Sequence, residues 1–185
     1  MKKLIVVGII AAMALAICST MVALASTSVN ITITAQGSEV DISCTQSAWN
    51  VGTVHNLGIY YTVDNLTWGT FTNLGSENVD IVAHGYNMKN AGSTYTWTLH
   101  NTTPGAATFA MMGSIATVGD TQIHTSDFAF ITNLPAVGGA NTRTFGLEFK
   151  APTSGTGNDL MEMVGSTGSP SETPRGLIFT ASVHI

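Results

Sequence analysis

Charged side chains are scarce in this sequence, and basic ones are the scarcest. Only 9% of the 185 residues are charged, and six residues are lysine or arginine. A protein that binds nucleic acid neutralises phosphates with many basic side chains and releases their counterions. Attraction to an anionic lipid surface needs a similar basic cluster. The composition therefore argues against nucleic acid and against an anionic membrane surface as partners.

Cysteine is also rare, with only Cys18 and Cys44 in the chain. Cys18 lies in an N-terminal apolar segment that we predict to be removed, so Cys44 has no partner for an internal disulfide. The protein could therefore reside in an oxidising compartment, although it would not form an internal disulfide there. Cys44 falls in a predicted strand without a basic neighbour in sequence that would activate a thiolate. We expect a small core residue, with an intermolecular disulfide or a reactive thiol as the alternatives.

Motifs for catalysis, cofactors and metals are missing. The five histidines do not show a metal-ligand spacing, and neither a Gly-x-Ser-x-Gly serine motif nor a phosphate-binding loop occurs. We therefore expect a protein that is not an enzyme and that carries neither a cofactor nor a structural metal. Two alternatives stay open: a calcium site at Asp120, Asp127 or Asp159, and a secreted hydrolase with two converging carboxylates.

The first 25 residues have the three parts of a secretory signal peptide. Lys2 and Lys3 are followed by an uncharged apolar stretch over residues 4–17 and by Ala23-Leu24-Ala25, which places small residues before a cleavage site. The pattern predicts cleavage before Ser26, a secreted or extracytoplasmic protein, and no membrane span after cleavage. An uncleaved anchor and a lipoprotein attached at Cys18 are the alternatives.

Residues 26–185 are predicted to form one domain. Removing the signal peptide leaves 160 residues, with eleven acidic against four basic side chains and so a net charge of −7. This length is sufficient for a single hydrophobic core. Abundant threonine, asparagine and glycine are typical of pleated surfaces joined by tight turns.

Alternation of apolar and polar residues predicts strands along the whole domain. In residues 28–35, Val29, Ile31 and Ile33 share one face and polar side chains share the other. Turn residues at intervals of roughly 8–12 residues favour a sandwich or barrel over alternating strands and helices. The predicted strands cover residues 28–35, 40–44, 48–54, 59–63, 69–74, 79–84, 94–100, 107–112, 128–133, 142–150 and 177–185. Residues 113–125 give little strand signal, and residues 159–164 suggest a helical turn or a packed edge within a long loop.

Two segments resemble secreted immunoglobulin-like modules. Residues 69–81, with Asn73-Leu74-Gly75 between two strands, resemble the hairpin of such modules, and residues 49–54 resemble the strand that often precedes it. Thr96-Trp97-Thr98-Leu99 is similar to the Trp-x-Leu element of WxL cell-surface domains. The resemblance implies an all-β, immunoglobulin-like antiparallel β-sandwich after the signal peptide.

A looser similarity to fibre-forming sandwich subunits of the TasA kind concerns the first strand. In such subunits a terminal strand can complete a neighbour's sheet. That similarity would make Val29, Ile31 and Ile33 the apolar face of an assembly strand, although the strand's own pattern does not distinguish it from an ordinary first strand.

The aromatic side chains allow a second kind of function. Seven tryptophan and tyrosine residues could pack in the core or line a sugar-binding face: Trp49, Tyr60, Tyr61, Trp68, Tyr86, Tyr95 and Trp97. Trp97 alternates with apolar neighbours and is expected in the core. Trp68 lies near a turn, so Trp68 and Tyr86 are the predicted binding residues.

The sequence therefore predicts a non-enzymatic secreted or cell-surface protein that acts in structure or adhesion and assembles through strand edges. Its partners would be like subunits or a cell-surface or extracellular polymer. A carbohydrate-binding module with exposed aromatics is the alternative. Acceptor patterns for N-glycosylation begin at Asn30, Asn65 and Asn101, and they matter only if the source organism glycosylates secreted proteins.

Overall fold

The computed structural model describes residues 23–62, 66–90, 96–100, 103–115, 119–138, 140–154, 161–163 and 176–185. Within these ranges the chain forms fourteen strands and no helix, which confirms the all-β prediction. The strands are β1 (Ala23–Ala35), β2 (Ile42–Cys44), β3 (Ala48–His55), β4 (Ile59–Tyr61), β5 (Gly69–Asn73), β6 (Val79–His84), β7 (Met88–Asn90), β8 (Thr96–Leu99), β9 (Thr108–Ile115), β10 (Gly119–Gln122), β11 (Phe128–Leu134), β12 (Thr142–Lys150), β13 (Met161–Met163) and β14 (Leu177–Val183).

The predicted strands all have counterparts, and the structure adds three short strands to that set. These are β7, β10 and β13, each three or four residues long. β13 corresponds to the packed edge, one of the two interpretations of residues 159–164, whereas residues 88–90 and 119–122 do not alternate between apolar and polar side chains. Of the predicted signal peptide, residues 23–25 are described as the start of β1 and residues 1–22 lie outside the described part, so the signal peptide stays a prediction.

The strands curl into a sandwich-like arrangement around one core. The order β11-β6-β14-β1 forms one layer, and the order β9-β12-β5-β2 forms the facing layer, with β10 beside β9 and β4 beside the end of β12. β1 is long enough to belong to two parts of the sheet. Its second half pairs with β14, and its first half lies between β3 and β13. β13, β7 and β8 continue the hydrogen-bonded path to β9.

Most strand pairs are antiparallel, as predicted, but three pairs are parallel. β1 runs parallel to both β14 and β13, and β8 runs parallel to β9. Two of the parallel pairs join the first strand to the last two, whereas β8 and β9 are consecutive strands joined by residues 100–107. A hairpin cannot produce such a pair, because a parallel connection needs a crossover.

Phenylalanine side chains from both layers meet in the core. Phe71 of β5 stacks on Phe145 of β12, with ring centroids 4.7 Å apart. Phe179 of β14 lies edge-on to Phe71 at 4.9 Å, and Phe130 of β11 lies edge-on to Phe145 at 6.0 Å. All four side chains are at most 2% exposed. β5 and β14 alternate between buried and half-buried residues, and these four rings show that one face of each layer points inward.

The predicted hairpin around Asn73 and Gly75 is wrong, although its two strands are right. β5 pairs with β2 and β12, while β6 pairs with β11 and β14, so the connection crosses from one layer to the other. Neither Asn73 nor Gly75 has a positive φ. A Cβ atom at position 75 would lie 2.5 Å from the Glu39 carbonyl oxygen, so close backbone packing explains this glycine.

Asn73 is instead the centre of a buried hydrogen-bond cluster. Its side-chain N–H groups donate to the carbonyl oxygens of Glu77, Leu134 and Pro135 at 2.8, 3.2 and 3.0 Å. Its side-chain oxygen accepts from the Gly75 N–H at 3.0 Å. This one amide therefore bonds backbone groups of the β5–β6 connection and of the chain at the end of β11. A residue needed only for the backbone conformation of a turn would not make these bonds.

Candidate functional site

A groove of about 660 Å³ opens between β3 and β4. Residues 48–51 of β3, residues 59–62 at β4, and Trp68 line it. Four of the seven tryptophan and tyrosine residues of the sequence lie here: Trp49, Tyr60, Tyr61 and Trp68. Its volume is in the range of small-ligand sites, which combine aromatic walls with a few polar groups.

Trp68 is half-buried and held by aromatic neighbours. Its ring lies edge-on to buried Phe145 at 5.9 Å and is tilted against Trp49 at 6.4 Å. Gly69 allows this packing, because a Cβ atom there would lie 2.5 Å from the Phe145 ring. The Gln46 side chain also donates to the Trp68 carbonyl oxygen at 2.8 Å. The Trp68 ring is therefore positioned before any ligand arrives.

Tyr60 is fixed by the turn that joins β3 to β4. Its hydroxyl oxygen accepts the His55 backbone N–H at 2.6 Å, and its ring is tilted against buried Phe149 at 6.3 Å. A Cβ atom at Gly58 would lie 2.5 Å from the Tyr60 ring, so glycine is required where the ring crosses the turn. Tyr60 thus forms a rigid wall of the groove.

The outer edge of β4 combines exposed apolar side chains with outward backbone groups. Ile59 and Tyr61 are 53% and 54% exposed. The Gly58 carbonyl and the Thr62 N–H bond toward the β12 side, to Ala151 and Leu147. Strand alternation therefore directs the backbone groups of Ile59 and Tyr61 to the opposite edge. In the part of the chain that the structure describes, β4 pairs only with β12, and β3 pairs only with β1.

Leu57 extends this apolar edge. It is 68% exposed and has a φ of 61°, which is unusual for a residue other than glycine. Its N–H donates to the Pro152 carbonyl at 2.9 Å, and this bond holds the turn. A smaller cavity of about 190 Å³ lies beside Leu57 and Ile59, next to Pro104 and Lys150. A strained and exposed leucine beside this smaller cavity is consistent with a contact surface.

The lining of the groove is uncharged. Among the residues that the structure describes there, all side chains are apolar, aromatic, amide or hydroxyl. Asn50 is exposed, and its side-chain oxygen accepts the Gly52 N–H at 2.9 Å. Its amide nitrogen therefore remains as a donor for a ligand at that rim.

The structure separates the two predicted binding residues. Trp68 lies in the groove, whereas Tyr86 is not among its lining residues and packs on His84 with ring centroids 4.5 Å apart. Trp97 is buried, as predicted. Sequence reasoning did not single out Leu57 or Ile59. The signal that was available is the concentration of four large aromatics between residues 49 and 68.

The predicted assembly strand lies inside its own domain. Val29 and Ile31 are buried in the core, and Ile33 is half-buried against it. The strand pairs in register with β14 from Ile31↔Leu177 to Ala35↔Ala181. Its apolar face is therefore already covered in this arrangement.

Cys44 is half-buried against the core, on the edge strand β2. Burial raises the pKa of its thiol, and hydrogen bonds from the Gln46 and Thr45 backbones offset this only in part. A raised pKa disfavours the nucleophilic thiolate, in keeping with the expected structural role. Of the glycosylation acceptors, Asn30 is exposed, and Asn65 and Asn101 lie outside the described residues.

Two histidine–aspartate pairs each join a residue of β6 to a neighbouring segment. His84 Nδ1 lies 2.8 Å from Asp127 Oδ1, and His184 Nδ1 lies 2.8 Å from Asp80 Oδ1. The Asn133 N–H also donates to Asp80 at 2.8 Å. Partial burial raises the pKa of the Asp80 carboxyl, but the hydrogen bonds from Asn133 and His184 and the charge of His184 together lower this pKa below its ordinary value.

Asp80→Asn is expected to lower stability at neutral pH but not in acid. A lowered carboxyl pKa adds stability above the unfolded-state pKa, and this stability is lost as the pH falls through the folded-state pKa. The pair is partly exposed, so we expect a loss of about 0.5 kcal/mol in the free energy of unfolding at pH 7. Urea unfolding at neutral and strongly acidic pH measures it, with Asp127→Asn, whose side chain is 72% exposed, as the control. An equal loss at both pH values would contradict the assignment.

The structure gives two of the three candidate calcium-site aspartates different partners. Asp120 accepts a hydrogen bond from Ser114, Asp127 pairs with His84, and Asp159 lies outside the described residues. Across the described ranges, no three histidine, cysteine, aspartate or glutamate side chains are grouped to hold a metal ion.

The described part of the chain contains no helix of the length and apolarity needed to cross a membrane. A scan against models of protein families finds no match, and a search of curated proteins finds no significant relative.

Proposed function

We propose that this protein is a non-enzymatic structural or adhesion protein, secreted or held at a cell surface, that binds like subunits or an extracellular polymer through open strand edges. The observation that carries the proposal is the edge formed by β3 and β4. Leu57, Ile59 and Tyr61 are exposed there, beside backbone groups of β4 that point away from β12. Unpaired edges and exposed apolar patches are features of interaction surfaces.

This edge is a better candidate for the contact than β1. An exchanged β1 would first have to leave its own core, where Val29 is 0% exposed, and its pairing with β14. The edge of β3 and β4 can be covered without unfolding any part of the domain. The proposal therefore places the subunit contact at Leu57, Ile59 and Tyr61.

Ile59→Lys is expected to weaken self-association at least about tenfold, because it removes one buried side chain from the contact and adds a charge to an open edge. Protein expressed from the full sequence and recovered in its exported form would be compared by light scattering after size-exclusion chromatography, over a range of concentrations. Negative-stain imaging would detect fibres.

Val137→Lys is the matched control, since Val137 is 61% exposed and lies outside both cavities. An equal effect of both substitutions would contradict the assigned contact. A protein that stays monomeric at all concentrations would exclude self-assembly.

Carbohydrate binding is the second candidate, and the groove favours it. Trp68 is preorganised by Trp49 and Phe145, and Tyr61 is exposed beside it. A monomer that adheres to an extracellular polysaccharide would satisfy this candidate without subunit contacts.

A further inference from the structure

We infer that the groove between β3 and β4 binds a neutral polysaccharide, with a pyranose ring of the polymer seated against Tyr61 and Trp68. The inference rests on the proposed adhesive function and identifies the chemistry of the partner. A pyranose ring has apolar C–H faces and a rim of hydroxyl groups. It therefore matches a site in which aromatic faces alternate with hydrogen-bonding groups.

The aromatic part of the site is rigid where it meets the core and accessible where it meets solvent. Trp68 is wedged between Trp49 and Phe145 at 6.4 and 5.9 Å, and Tyr60 is tied to His55 at 2.6 Å. Tyr61 remains 54% exposed at the mouth. Little ordering is needed on binding, which lowers the entropic penalty of forming a complex.

The polar part of the site surrounds this platform. The Asn50 amide nitrogen provides donors, since its oxygen is already engaged by Gly52 at 2.9 Å. The outward N–H and C=O groups of Ile59 and Tyr61 add backbone donors and acceptors at the opposite wall. The Tyr61 hydroxyl can act in both roles. Together these groups can bind hydroxyls on the rim of a sugar ring.

Charge selects a neutral polymer over an acidic one. The described lining does not include a basic side chain, and the whole chain has a net charge of −5. An acidic polysaccharide would be repelled by this field and would find no cation in the groove. A neutral glycan has no such penalty.

The test is a binding series with soluble neutral oligosaccharides. Cellohexaose, mannohexaose and the chitin hexamer would be titrated into the exported protein, with tryptophan fluorescence and calorimetry as readouts. At least one should bind, and an oligogalacturonate should not. Tyr61→Ala and Trp68→Ala should each weaken binding about tenfold, the effect of losing one stacking contact. Tyr86→Ala is the matched aromatic control and should change affinity by less than about twofold.

The outcomes separate this inference from the proposed function. If the neutral probes fail to bind while the protein still self-associates, the inference is wrong and the assembly proposal stands. If neither occurs, both are wrong. Binding that survives Tyr61→Ala, or that Tyr86→Ala removes equally, would overturn the location. Tyr61 is largely exposed, so this variant remains informative even if Trp68→Ala does not fold.

Discussion

Phe145→Ala is expected to lower the free energy of unfolding by about 3–5 kcal/mol, because a fully buried phenylalanine is replaced by a cavity. Phe145 is 0% exposed and contacts Phe71, Phe130 and Phe179 across the two layers, with centroids 4.7, 6.0 and 5.7 Å away. Urea unfolding followed by circular dichroism measures the loss.

The same substitution should also disturb the groove. Phe145 supports the Trp68 ring from the core side at 5.9 Å, so its removal frees Trp68 to move. In the folded variant the tryptophan emission should shift to longer wavelength, and affinity for the neutral oligosaccharides should fall.

Phe128→Ala is the control, since Phe128 is half-buried and contacts Phe130 and His124 rather than Trp68. It should lower stability by only about 1–2 kcal/mol and leave the emission unchanged. A similar loss in both variants would contradict the assigned core.

Asn73→Asp is expected to destabilise the protein by about 3–5 kcal/mol at neutral pH, because it buries an anion against carbonyl oxygens and removes their donors. Asn73 is 0% exposed and donates to the carbonyls of Glu77, Leu134 and Pro135. Burial would raise the pKa of the new carboxyl above its unfolded value, so the destabilisation should be largest above that value and should decrease as the pH falls.

Two further variants separate charge from lost hydrogen bonds. Asn73→Leu should be destabilised similarly at neutral and acidic pH, because it lacks the donors without adding a charge. Asn50→Asp should have little effect, since Asn50 is exposed and its oxygen only accepts a hydrogen bond from Gly52. Chemical denaturation at pH values around 4 and 7 compares them. A pH-independent loss in Asn73→Asp would contradict the buried-anion explanation.

The strands with clear alternation were predictable because side-chain direction along a strand depends only on neighbouring residues. In β12, Phe145, Leu147 and Phe149 are all 0% exposed, as their spacing indicates. The same local rule could not reveal β7 or β10, whose residues do not alternate between apolar and polar side chains. Nor could it show that β5 and β6 lie in different layers, because pairing is set by burial over the whole core.

The binding groove illustrates this limit. The sequence pointed to Trp68 as an accessible aromatic, and it showed four large aromatics close together in the chain. It could not show that β4 pairs with β12 while β3 pairs with β1, which opens a groove between them.

The amino-acid order was sufficient for the all-β character, the inward faces of the strands and the scarcity of charge, since each follows from residue type and spacing. Long-range strand pairing brings four aromatic side chains to one groove: Trp49, Tyr60, Tyr61 and Trp68. That pairing depends on how the whole core packs, and no single segment of sequence contains it.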